Sequence, residues 1–135
     1  MIVEALVALA VAPPAAAPRA CPVTRPTVAS GRYGSKRLWT FLPRDGVLRS
    51  PRADDGSLFQ KLPWIPDRWR GELTLSGRMV GSVTPMRVVG INWGYASTGK
   101  GSWRTAVTFS RAGCWRITGR SAGETLTYVV RVVAA

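Results

Sequence analysis

The stretch GCWRITGRSAGETLTYVVRVV, residues 113–133, decides the fold. Side chains alternate sides along a strand, so every second residue shares a face. In the first half Trp115 and Ile117 share one face, with Cys114 on the other. In the second half Leu126, Tyr128, Val130 and Val132 line up in the same way. Between the two runs lies GRSAGE, a short glycine-containing gap. The pattern predicts two paired strands with Trp115 as a core anchor and Cys114 as a staple beside it, rather than a reactive cysteine.

Working back from this pair, the same period recurs. WRTAVTFS sets Thr105, Val107 and Phe109 against Thr108 and Ser110. GELTLSGR sets Leu73 and Leu75 against Thr74 and Ser76. PMRVVGINW is a further β-branched run. SLFQKLPW reads as a short strand stopped by Pro63, and Leu38–Leu42 as a strand ending at Pro43. PRDG and RADDGS carry turn chemistry, PWIPDRWRG is irregular, and GYASTGKGS reads as a loop. No stretch after residue 20 sustains a helical apolar period. The expected fold is an all-β antiparallel sandwich of about seven strands.

The 135 residues suffice for one domain with a core, placed at 21–135. Residues 1–20 read as a separate N-terminal segment. MIVEALVALAVAPPAAAP is too short to span a membrane, which takes about 20 apolar residues. It matches the apolar part of an export signal, although Glu4 interrupts it and no basic residue precedes it; an N-terminal helix or a disordered tail is the other reading. Cys21 follows Pro18-Arg19-Ala20, which does not fit a lipid-attachment site. Two cysteines in an exported chain imply one disulfide, Cys21–Cys114, while two reduced thiols would fit a cytoplasmic protein. The signal-like start favours the disulfide. Closing a loop of roughly ninety residues contributes about 4–5 kcal/mol in the chain-entropy model.

Absences narrow the chemistry. Without histidine there is no imidazole base, no Ser-His or Cys-His pair, and no four-ligand zinc site from Cys and His. GYASTGKG nearly spells a phosphate loop, but Gly101 stands where a magnesium-binding hydroxyl is required, and a strand-like run follows in place of a helix. The acids Asp45, Asp54 and Asp55 sit in turn sequences that their side chains stabilise. A carboxylate-based hydrolase is the remote alternative, and no catalytic residue, cofactor or metal is expected.

The remaining signals concern binding. The net charge of +12 attracts anionic polymers, although the basic residues are spread along the chain without a dense run. Six tryptophans are many for this length, and several lie beside arginine. Such interleaving can stack rings and pair with anions. Alternation instead sends strand tryptophans inward and their neighbours outward, which is the better reading for Trp39 and Trp115. Trp64 and Trp69 lie in or beside the proline-rich segment, and Trp93 and Trp103 flank the glycine loop. With Arg68, Arg70, Tyr95 and Lys100 they form the candidate binding set.

The ordered set YGSKRLW, LPRDG, DGSLFQKLPW, GELTLSGR, TFSRA and GCWRITGR…LTYVVRVV resembles a family of small exported bacterial proteins of unknown function. The likeness covers roughly residues 21–133; no single motif is specific, and the order carries it. It implies an extracytoplasmic, immunoglobulin-like β-sandwich, often a lipoprotein, with no enzymatic activity. This chain lacks the lipid-attachment motif, which puts lipid anchoring in doubt. Ala112 also stands where a true immunoglobulin domain has tyrosine. The expectation is therefore a non-enzymatic, monomeric domain mediating interaction at the cell envelope, secreted or envelope-associated. Its partner is another protein or an anionic envelope polymer. The alternative is an inhibitor or a carbohydrate- or anionic-polymer-binding module using exposed Trp and Arg loops. Specific nucleic-acid binding and a transmembrane span in the mature domain are not expected.

Overall fold

A computed structural model describes residues 20–135; the signal-like segment, Ala20 apart, lies outside the described residues. The chain forms β1 (Arg32–Gly34), β2 (Trp39–Phe41), β3 (Val47–Ser50), β4 (Leu58–Trp64), β5 (Thr74–Met79), β6 (Arg87–Tyr95), β7 (Gly101–Phe109), β8 (Gly113–Ser121) and β9 (Glu124–Ala134). A four-stranded sheet, β3-β9-β8-β5, packs on a three-stranded sheet, β4-β7-β6, and β1-β2 makes a small ribbon. The fold is all-β and sandwich-like, as expected, with nine strands among the described residues rather than seven.

The deciding stretch is the β8–β9 hairpin, antiparallel throughout from Gly113↔Val132 to Ser121↔Glu124. Its turn is shorter than the GRSAGE gap. Only Ala122 and Gly123 lie outside the strands, at φ 48° and 81°. Two left-handed residues give the turn whose twist matches a hairpin. Trp115, Ile117, Leu126, Tyr128, Val130 and Val132 are all buried in the core. From the other sheet Leu58, Leu62, Trp64, Trp103, Val107 and Phe109 face them. The Trp64 ring stacks on Tyr128 with centroids 5.3 Å apart. It lies across Gly119, where a Cβ would come within 2.7 Å of the ring.

Other details depart from the sequence expectations. Pro63 does not stop its strand: it sits inside β4, opposite Arg104. β4 is an edge strand of its sheet, where a missing N–H is tolerated. The Pro63 carbonyl instead accepts the Thr40 hydroxyl at 2.6 Å. β3 pairs with β9 in parallel, so the sandwich is not wholly antiparallel. GYASTGKGS is strand at both ends, Gly94–Tyr95 in β6 and Gly101–Ser102 in β7. Only Ala96–Lys100 lies between β6 and β7, closed by bonds from Ala96 N–H to Lys100 O and from Gly99 N–H to Ala96 O.

The N-terminal segment is stapled to the sheet. Cys21 and Cys114 form the expected disulfide, with Cα atoms 5.5 Å apart. The backbone N–H of Thr24 donates to Val129 O at 2.9 Å, and Val129 N–H donates to the Thr24 hydroxyl at 2.9 Å. This segment occupies the edge of β9 just before β3 takes it over at Arg131.

A candidate aromatic and cationic groove

The register of the three-stranded sheet builds the site. Trp64 of β4 lies opposite Trp103 of β7, and Trp103 opposite Trp93 of β6. Directly opposed residues share a face, so three tryptophans form one row across the sheet. A bulge in β6 makes this row possible. The pairing shifts between Val88 and Gly90, leaving Val89 as the extra residue. Before the bulge Val88 opposes the buried Val107; after it Ile91, Trp93 and Tyr95 take the inward parity. Without the extra residue, Trp93 and Tyr95 would point to the outer face.

Exposure rises along the row. Trp64 is 0% exposed and Trp103 3% exposed, while Trp93 is partly exposed. Trp64 and Trp103 are therefore core residues and not ligand-facing, contrary to the sequence expectation. The reason is parity: Trp103 shares its face with Thr105, Val107 and Phe109. The Trp64 indole N–H donates to the Thr105 hydroxyl at 3.2 Å, which donates in turn to Leu62 O at 2.7 Å. That pair of bonds satisfies the buried polar atoms and fixes the ring.

Trp69 completes the arrangement from the irregular segment. Its ring sits 4.8 Å from Trp103 and 5.0 Å from Trp93, centroid to centroid, and remains 48% exposed. Trp93 meets Tyr95 edge to face at 5.9 Å, and Tyr95 is 68% exposed. The Trp93 ring lies over Gly101, where a Cβ would collide with it. These rings line an open groove of about 510 Å³ with Arg68, Lys100, Arg32 and Trp39. Five members of the candidate set, Arg68, Trp69, Trp93, Tyr95 and Lys100, thus meet in one place.

Arg70 does not line the groove. It forms a two-pronged bond to Asp67, Nε to Oδ1 and Nη2 to Oδ2, both at 2.8 Å. The Arg70 guanidinium holds the Asp67 carboxyl down at about 2, from an ordinary 3.8. Asp67, the groove's one lining carboxylate, is therefore neutralised by a residue behind it. That leaves Arg32, Arg68 and Lys100 as net positive charge.

Arg32 and Trp39 were not in the candidate set. The Arg32 guanidinium lies 4.0 Å over the Trp39 ring, a cation–π contact. Trp39 is 9% exposed, at the groove's edge. Its backbone exchanges two hydrogen bonds with Ile65, at 2.8 and 2.9 Å, which ties the small ribbon to the segment leading to Trp69. No alternation pattern carries this contact, because it forms across the short β1–β2 ribbon, whose first strand is too brief to show a period.

The acids follow the turn reading. Asp45 accepts from Val47 N–H at 3.0 Å, and Asp55 from Ser57 N–H at 3.0 Å. Among the described residues no group of three or more Cys, Asp or Glu is placed to hold a metal ion, and no helix is long and apolar enough to cross a membrane. Comparison with known protein families, curated proteins and solved structures finds no match to this chain.

Proposed function

We propose that this chain is a non-enzymatic, monomeric binding domain that acts outside the cytoplasm, at the cell envelope, and that its groove takes an acidic carbohydrate chain. The single observation that carries the reading is the groove's composition. Two exposed aromatic rings, Trp69 and Tyr95, stand beside three cations, and the carboxylate there is paired from behind. Ring faces stack on the apolar face of a sugar, and guanidinium and ammonium groups pair with its acid substituents. Rigidity supports it as well. Trp69 rests on the buried Trp103, so little side-chain freedom is lost on binding. The disulfide fits an oxidising compartment.

The test is titration with oligogalacturonate and with a neutral oligosaccharide of the same length. Wild-type protein is expected to bind the acidic oligomer and to bind the neutral one at least about tenfold more weakly. Trp69→Ala is expected to lose about 10–100-fold, the equivalent of about 1–3 kcal/mol for one stacking ring. Equal binding of both oligomers, or unchanged binding by the variant, overturns the reading. A protein partner at the same groove is the second reading; it is favoured if neither oligomer binds.

A further inference from the structure

The outer face of the four-stranded sheet carries a different pattern from the groove. On β5 the outward residues are Thr74, Ser76 and Arg78; on β8 they are Arg116, Thr118 and Arg120. Arg78 lies directly opposite Arg116, Ser76 opposite Thr118, and Thr74 opposite Arg120. Like charges directly opposed across two strands destabilise a sheet. No carboxylate relieves this pair: the ion pairs among the described residues are Arg37–Glu124, Arg49–Asp45 and Arg70–Asp67. Two shallow depressions, of about 320 and 540 Å³, meet at Arg78 and Arg116. The first extends along β8 to Arg120.

We infer that this face binds a linear phosphate polymer along β8. Opposed arginines on neighbouring strands have Cα atoms about 5 Å apart, close enough for both guanidiniums to grip one tetrahedral phosphate from two sides. Arg120 is four residues further along the strand, about 13 Å away, beyond the reach of the same phosphate. It engages a later repeat of the same chain, so the face fits a polymer better than a single ion. Ser76 and Thr118 offer hydroxyl donors between the two ends. The occupant is a polymer rather than a membrane because the rows between the arginines carry only hydroxyl side chains. Val83, in the neighbouring turn, is a lone exposed apolar tip. The inference is independent of the groove, which shares none of these residues.

The test uses long-chain inorganic polyphosphate as the probe, with three proteins. One is wild type. The second is R78Q/R116Q/R120Q. The third, K61Q/R87Q/R104Q, loses the same charge from the outward positions of the other sheet. For a single-stranded polyanion, log K falls with log salt by about 0.7 for each phosphate neutralised. The second protein is expected to lose about 1.4 from the magnitude of that slope, for two phosphates, and at least about tenfold in affinity at low salt. The third is expected to change far less. The second should also melt higher than wild type without probe, since the opposed pair is gone. Equal losses in the two triple variants would mean that net charge alone binds, and would overturn the inference. Binding to phosphatidylglycerol vesicles with none to polyphosphate would overturn it too.

Discussion

Gly119 and Gly101 are the two places where one hydrogen instead of a methyl decides a tryptophan's position. At Gly119 a Cβ would meet the Trp64 ring at 2.7 Å, and that ring is held between Tyr128 and Thr105. It cannot retreat, so Gly119→Ala is expected to cost about 1–3 kcal/mol in a denaturant melt, the usual penalty for overpacking a core. At Gly101 the displaced ring would be Trp93, so an alanine there should weaken ligand binding more than folding. Asp67 gives a pH test. Its folded pKa lies below the ordinary 3.8, so its ion pair stabilises the fold above about pH 4 and is lost as pH falls toward about 2. A carbon-detected NMR titration should show the Asp67 carboxyl still ionised at pH 3; a midpoint near 4 would mean the fork to Arg70 does not persist in solution. At this scale much was legible. The parity of WRTAVTF groups Trp103 with Val107 and Phe109, a sign of burial that outweighs its place beside the glycine loop, the feature that makes it a binding candidate in the sequence. The Arg32–Trp39 contact had no such signal, since it depends on a two-stranded ribbon whose strands are three residues long.

Among the elements, the long strands followed from alternation, and of the short ones only β2 did. β5, β7, β8 and β9 each carry several apolar residues at period two, enough to mark both the strand and its inner face. β1 and β3 are three and four residues long, and β3 is fixed by pairing in parallel with a strand more than eighty positions away in sequence. The bulge at Val89 was equally hidden. It changes parity within a β-branched run without any glycine or proline at the extra position, and it is what turns Trp93 and Tyr95 toward the groove. The β8–β9 turn offers a prediction of its own. Ala122 sits at φ 48°, a conformation that costs an alanine about 1 kcal/mol and suits asparagine. Ala122→Asn should raise the melting temperature by a few degrees; no rise would mean the turn relaxes its left-handed geometry in solution.

Taken as a whole, the molecule separates its staples from its surfaces. The Cys21–Cys114 bond and the Thr24–Val129 hydrogen bonds hold the N-terminal segment to the four-stranded sheet. The aromatic groove lies at the end of the other sheet, where the β6–β7 hairpin meets the segment after β4. Cys114 and Trp115 are therefore architecture, a staple and a core anchor, and the aromatic groove lies away from them. What composition left open was how a spread of basic residues becomes a site. The fold does this by pairing Asp67 with Arg70 and gathering Arg32, Arg68 and Lys100 around exposed rings. The central claim is that this groove binds an acidic sugar chain through Trp69 and Trp93. The most direct test follows the six indole N–H signals by NMR during titration with oligogalacturonate. The Trp69 and Trp93 signals should shift with saturation, while those of the buried Trp64 and Trp115 stay in place. No shift at Trp69, or equal shifts at all six, would contradict the account.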